Sequence, residues 1–265
     1  MAINYYKYYT VDTTVQICYN AIRRNIKIKK RDLIIEPSAG NGSFIKYIKK
    51  LSNNYSFYDI KPEHKEIVKK NFLKLKKTKH AKHNLHIIGN PPFGNKSSTA
   101  IKFIKHSAKL NAKTISFILP ISFNKPSFKK AFPRNYHLKL SKKLPENSYT
   151  NKKKIVDIKT VFQIWEKRDY NRKRVKKTIP NKWYKFVKKP ECSIAIKRVG
   201  FSTGKAKKCD SKDNVNTNWF IKTNNKSSEL ITKLNKIKYN IKNNVGAYSI
   251  SKQDIIKKYN TINMI

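Results

Sequence analysis

The chain has 265 residues, 61 of them Lys or Arg against 15 Asp or Glu, for a formal net charge of +46. That balance points to a polyanion partner and to salt-dependent nucleic-acid binding, although the abundance of Lys, Asn, Ile and Tyr also carries the coding bias of an AT-rich genome. A content of 38% hydrophobic and 12% aromatic residues suffices for a core. No apolar run reaches the roughly 18 residues of a membrane span, and Met1–Lys7 lack an apolar signal region, so the expectation is a protein of the cytoplasm, a viral factory or a virion, and not a secreted one.

Thr13–Arg24 places Val15, Cys18, Tyr19 and Ile22 at helical spacing, with Thr13 or Asp12 as its cap. Leu33–Glu36 reads as a strand, Phe44–Leu51 as the next helix with Ser43 as a candidate cap, and 55–59 as a second strand. Pro62–Asn71 reads as a helix with Ile67 and Val68 inward, and the Lys-rich stretch 74–83 as an exposed loop. Strands are expected at 85–89 and 114–119 with a helix over Thr99–Leu110 between them, then further strands near 136–140 and 160–165. This alternation argues for an α/β fold, a parallel-type sheet with helices on both faces.

After Trp165 the texture changes. Lys167, Arg168, Arg172, Lys173, Arg174, Lys176 and Lys177 crowd one segment, which reads either as a solvated linker or as a phosphate-tracking segment at a domain boundary. Beyond it, 192–196 and 219–221 read as strands, Gly200–Lys205 as a tight loop, and Glu229–Ile237 and Lys252–Tyr259 as short helices. The domains expected are 1–168 and a small α+β region, 169–265. Cys18, Cys192 and Cys209 fit neither a disulfide framework nor a zinc site. His80, His83 and His86 are evenly spaced but share no face, so no metal is expected.

Two motifs carry chemistry. In Glu36-Pro37-Ser38-Ala39-Gly40-Asn41-Gly42, a strand ends in an acid and a glycine-bearing turn follows, the place where open α/β sheets bind ligands. The run lacks the lysine of a phosphate-binding loop, so a cofactor without a phosphate chain is favoured over ATP. In Asn90-Pro91-Pro92-Phe93, the Asn side-chain oxygen and the Pro91 carbonyl can accept both hydrogens of one exocyclic amino group. The prolines fix the backbone and donate nothing, and the Phe93 ring can stack on a flat base. Phe162, Trp165 and Phe201 are candidates for a second stacking ring.

These motifs resemble those of the S-adenosylmethionine-dependent adenine N6 methyltransferases, in the motif order called gamma and closest to phage and large-virus members. The resemblance covers roughly residues 8–168. It implies a Rossmann-like class I methyltransferase sheet in a catalytic domain, with a C-terminal target-recognition region. Glu36–Gly42 is similar to the cofactor loop, and Asn90, Pro91, Pro92 and Phe93 to the catalytic loop. Tyr9 and Thr10 resemble an N-terminal cofactor-contacting segment. Asp59, followed by Ile60, resembles the strand-end acid that accepts from the cofactor ribose. Asn71, ahead of Phe72, stands where the family usually has an acid near the cofactor adenine. The implied cofactor is S-adenosylmethionine and the implied partner a nucleic acid. The leading reading is adenine N6 methylation of DNA. Alternatives are methylation of adenosine in RNA, including a cap-adjacent one, glutamine methylation on a protein, which the charge disfavours, and an inactive nucleic-acid-binding relative. Neither the target sequence nor the oligomeric state is legible.

Overall fold

Leu33-Ile34-Ile35 and Ile87-Ile88 are runs that bury both of their faces, and a sheet built on such strands needs cover on both sides. The computed structural model describes residues 8–76, 83–151, 154–156, 158–174, 177–180, 182–224, 226–239 and 248–262. The chain divides into two units, 1–173 and 174–265.

The strands of the first unit are β1 (Tyr9–Thr10), β2 (Leu33–Glu36), β3 (Asn54–Asp59), β4 (Val68–Lys69), β5 (Leu85–Gly89), β6 (Thr114–Pro120), β7 (Tyr136–Lys143), β8 (Tyr149–Asn151), β9 (Lys154–Val156) and β10 (Thr160–Lys167). Its helices are α1 (Asp12–Asn25), α2 (Ile45–Leu51) and α3 (Ser98–Lys109). Seven strands form one sheet in the order β4-β3-β2-β5-β6-β10-β7. The first five run parallel, and β10 lies antiparallel to both β6 and β7. This is a mostly parallel, Rossmann-like sheet of the kind the resemblance implies. β1, β8 and β9 make a separate three-stranded sheet.

Alternation along the strands sorts side chains between the two faces. Ile34, Ile88, Ile118, Phe162 and Ile164 pack with α1 and α2, while Ile35, Ile87, Phe117, Val161 and Trp165 pack with α3. From β2 the chain winds one way to β3 and the other way to β5. Loops therefore part at the carboxyl ends of β2 and β5, and the crevice they leave is where such sheets take ligands.

In the second unit, β11 (Tyr184–Phe186), β12 (Ile194–Lys197), β13 (Ala206–Lys208) and β14 (Asn218–Thr223) form an antiparallel sheet in the order β11-β14-β12-β13. The helices α4 (Ser227–Asn235) and α5 (Lys252–Ile262) cover it, with Leu230, Leu234, Ile255 and Tyr259 packed on Ile194, Ile196 and Ile221.

Several expectations need correction. Residues 62–71 do not form a helix. Ile67 is buried, but Val68 is 56% exposed and pairs in β4 beside Tyr58, and Asn71 opens a short 3-10 turn. One buried position in that window gives a helix no apolar stripe to bury. Neither Thr13 nor Asp12 caps α1, whose cap residue is Val11. Ser43 does not cap α2, because its hydroxyl donates to Asn41 Oδ1 at 2.7 Å. Cys192 and Cys209 are joined in a disulfide. They flank the β12–β13 hairpin, and the pairing of Ile194 with Lys208 brings them together in a way that spacing alone did not reveal.

Arg172 is not a solvated cation. Its guanidinium donates to the carbonyls of Lys129, Phe132 and Pro133 at 2.9–3.2 Å and lies 5.0 Å over the Trp165 ring. Residues 77–82, most of the expected Lys-rich loop and including His80, lie outside the described residues. Among the described residues no helix is long and apolar enough to cross a membrane.

Candidate active site

The ends of β2, β3 and β5 bring most of the singled-out residues together. Asp59, the last residue of β3, accepts the Gly40 N–H on Oδ2 and the Lys61 N–H on Oδ1, both at 2.8 Å. One carboxylate thus fastens the glycine turn to the next strand end. Gly40 has φ +54°, and a Cβ there would meet nothing closer than the Tyr9 ring at 3.9 Å, so the space beside it is open. Gly42, at φ +85°, is the opposite case. A Cβ would lie 2.7 Å from Ile45 and 3.2 Å from His64, so the turn can only be this tight with glycine. Ala39 is buried and donates its N–H to the Tyr58 carbonyl.

Tyr9 spans the turn from the other side. Its hydroxyl donates to Glu63 Oε2 at 2.7 Å; burial, then that carboxylate, push its pKa up to about 12. Next to it, Thr10 Oγ1 accepts Asn90 Nδ2 at 3.2 Å. The Asn90 carbonyl in turn accepts the Ser38 hydroxyl at 3.2 Å. Asn90 is therefore joined by direct hydrogen bonds to Thr10 and to Ser38 of the glycine turn, both distant in sequence.

Two buried oxygens in this cluster have no protein partner, Asn90 Oδ1 and Glu36 Oε2. With Nδ2 committed to Thr10, the Asn90 amide presents its oxygen as a free acceptor. Glu36 is 2% exposed and packs against Gly89, where a Cβ would sit 3.2 Å from Glu36 Cγ and 3.4 Å from Pro37. Burial, then the neighbouring Asp59 charge, push its carboxyl up to about 8.

Pro91 is buried, Pro92 exposed and Phe93 half-buried. The Phe93 carbonyl receives the N–H groups of Thr99 and Ala100 at the start of α3. Gly94 has φ +69°, and a Cβ there would collide with Thr99 Oγ1. The Asn90–Phe93 loop is thus tied to rigid elements at both ends. Ile60, 61% exposed at the end of β3, offers an apolar surface beside Asp59.

Other candidates have partners of their own. The Asn71 side chain accepts the Leu73 N–H at 3.0 Å, a local turn contact. Phe72 is core, stacked on Phe103 and edge-on to His106. Phe162 and Trp165 are fully buried, Trp165 stacked 4.0 Å from Phe132, which removes both as stacking partners for a base. Sequence reasoning did not single out Ser38 as the residue joining the two loops, nor Glu63; neither has a sequence signal beyond its proximity to a motif. Among the described residues no group of His, Cys, Asp and Glu side chains could hold a metal.

The family model of the EDM2 methyltransferase-like domain matches residues 27–178. The chain belongs to this family. No curated protein matches the sequence. Similar solved structures include one described as a modification subunit of a type I restriction enzyme from Vibrio vulnificus, at 13% identity over 63% of this chain and 46% of that one, TM-score 0.47. A type I restriction-modification methyltransferase subunit from Streptococcus thermophilus matches at 15% identity over 60% of this chain and 45% of its own, TM-score 0.46. The 23S rRNA methyltransferase ErmE matches at 10% identity over 60% and 70%, TM-score 0.45. The chain spans less than half the length of the two restriction-system subunits.

Proposed function

We propose that this chain is a methyltransferase that moves a methyl group from S-adenosylmethionine to the N6 amino group of adenine in DNA. The observation that carries the reading is the free, buried Asn90 Oδ1 in an Asn-Pro-Pro-Phe loop beside the glycine turn.

The residues present fit the cofactor. The open side of Gly40 leaves room, and the unpartnered Glu36 Oε2 and the Asp59 carboxylate offer acceptors, for a ligand that is cationic and carries ribose hydroxyls. Tyr9, Thr10, Pro37–Gly42, Ile60 and Asn71 are the further residues assigned to hold it, together with Asn90, while Phe72 is taken up by the core. When bound, S-adenosylmethionine supplies an electrophilic methyl group on a sulfonium.

The chain's own task is then to position and activate a poor nucleophile. The lone pair of adenine's amino nitrogen is delocalised into the ring. Asn90 Oδ1 and the Pro91 carbonyl, as acceptors for its two hydrogens, favour a pyramidal nitrogen with the lone pair freed for in-line displacement. Asn90 is held for this by Thr10 and by the Ser38 bond to its carbonyl. Phe93 supplies a ring for a base flipped from the duplex. The second unit, with its basic surface residues, is assigned target recognition.

The test is methyl transfer from labelled cofactor to duplex DNA, single-stranded DNA and RNA, followed by nucleoside analysis. N6-methyladenine in DNA is expected. Asn90→Ala should cost little cofactor affinity, because the other contacts remain, and lose about 100- to 1,000-fold in turnover, the usual loss for one acceptor or donor aimed at the transition state. Label confined to RNA overturns the choice of polymer, and wild-type turnover by the variant overturns the mechanism.

A further inference from the structure

Phe201 is the most exposed large apolar residue described, at 99%. It stands at the tip of the β12–β13 hairpin, and the loop is built to hold it there. At the base, Gly204 N–H bonds the Lys197 carbonyl at 2.7 Å and Lys197 N–H bonds the Lys205 carbonyl at 2.9 Å. On one flank, Gly200 N–H donates to the Tyr248 carbonyl at 2.9 Å, and Ile250 N–H to the Arg198 carbonyl at 3.0 Å. The Thr203 hydroxyl reaches both the Gly200 and Tyr248 carbonyls. Gly200 and Gly204 have φ of +103° and +98°, and Gly204 lies so close to Tyr239 that a Cβ would sit 2.6 Å from its ring. A slack loop would fold a Phe back onto the protein, since leaving it in water is unfavourable. This loop is pinned on both sides, so the ring stays out.

The surroundings identify what covers it. The tip itself is small and polar, Gly200, Ser202, Thr203 and Gly204, while Lys205 and Lys208 are exposed on the same hairpin. At its foot, the Arg198 guanidinium stacks 4.3 Å over Trp219, with Lys252 Nζ 5.2 Å from the same ring. One flat ring ringed by cations suits a polyanion that has flat apolar faces of its own. A protein groove would match a wider apolar patch, and a membrane would need several apolar residues at the tip to anchor.

We propose that the 198–205 hairpin loop is a nucleic-acid contact element in which the Phe201 ring stacks on an unpaired nucleobase while Lys205 and Lys208 hold neighbouring phosphates. The inference rests on the reading that the substrate is a nucleic acid, and not on which base is methylated.

The full chain and a Phe201→Ala variant are compared by fluorescence anisotropy on single-stranded DNA, a duplex with one unpaired adenine, and a fully paired duplex. The variant should bind the first two about 5- to 100-fold more weakly. Its salt slope should not change, because no charge is removed. Lys205→Gln with Lys208→Gln should instead flatten the slope by up to about two units on every substrate. Phe201→Trp should retain binding and show fluorescence quenching on adding single strand. The exposed ring contributes no packing, so circular dichroism of Phe201→Ala should match wild type. Equal affinity of wild type and Phe201→Ala, or no quenching in Phe201→Trp, overturns the inference while leaving the methyltransferase reading intact. Binding of phosphatidylserine vesicles that depends on Phe201, with no such dependence on nucleic acid, overturns it in favour of a membrane. Failure of the wild type to bind any nucleic acid overturns both.

Discussion

The two ends of β2 each bury an acid, and the two are treated in opposite ways. Asp32, just before the strand, and Glu36, its last residue, are each 2% exposed. Asp32 is surrounded by partners. It accepts the Lys29 N–H at 2.9 Å and Asn84 Nδ2 at 3.4 Å, and His86 Nε2 lies 3.4 Å away, with the other His86 nitrogen 2.8 Å from Thr114 Oγ1. Burial alone would raise its pKa, but the Lys29 N–H and His86 outweigh burial and hold it below the ordinary value. Glu36 keeps an oxygen with no partner, and burial followed by the Asp59 charge raise it. The same strand can therefore satisfy a buried carboxyl where the fold needs it. Leaving one unsatisfied at the carboxyl end fits the proposal that a ligand completes it there.

The comparison breaks first, and by the largest margin, at the satisfied end. Asp32→Ala removes the acceptor for a backbone N–H and strands His86 in the interior. It should cost about 3–5 kcal/mol of stability, because the Lys29 N–H, the Asn84 amide and the His86 ring all lose a buried acceptor. Urea unfolding measures the loss, and calorimetry on the folded fraction should show S-adenosylmethionine affinity unchanged. A ligand defect without a stability defect would erase the distinction between the two ends.

Glu36→Gln probes the other end through pH. The folded-state pKa is raised from 4.5 to about 8, so between those values the folded protein holds a proton that the unfolded chain has released. Stability should therefore fall as pH rises through that window, by on the order of 5 kcal/mol at most. Gln cannot ionise, so the variant's curve should be flatter there and lie above wild type near pH 8. Urea midpoints at pH 5.5 and 8.5 decide the matter, and a wild-type midpoint that climbs over this interval would be incompatible with the environment described for Glu36.

The carboxyl end was legible in the sequence and the amino end was not. Glu36, Gly40, Asp59 and Asn90 lie in local motifs, where strand, turn and helix start follow one another and each residue's backbone demand shows in its type. Asp32, His86 and Thr114 meet only because β2, β5 and β6 pair in one register, and nothing local in their neighbourhoods signals it. The same reason hid the β1-β8-β9 sheet and the Cys192–Cys209 bridge. The expected helix over 62–71 failed differently. Ile67 and Val68 suggested an inward face, but strand pairing with β3 took the segment instead. Phe162 and Trp165 were offered as base-stacking rings, yet both are core positions of β10, a strand whose run from Thr160 to Trp165 is buried throughout.

Asp59→Ala gives the smallest effect expected and the sharpest test of the comparison, because Asp59 resembles Asp32 in holding backbone N–H groups. Both of its oxygens are engaged, one by Gly40 and one by Lys61. If that were its whole role, the substitution would loosen the turn and lower stability, as expected for Asp32. Asp59 is only half-buried, however, so water can replace the lost acceptor for either N–H, and the stability cost should stay within about 1 kcal/mol. Each oxygen also retains a lone pair that a ligand hydroxyl can use. S-adenosylmethionine affinity should accordingly drop by roughly ten-fold or more, the worth of a charge-assisted acceptor. Paired calorimetry and urea unfolding on the one variant separate the two roles. A large stability loss with unchanged affinity would place Asp59 with Asp32 as a structural acid and remove it from the site.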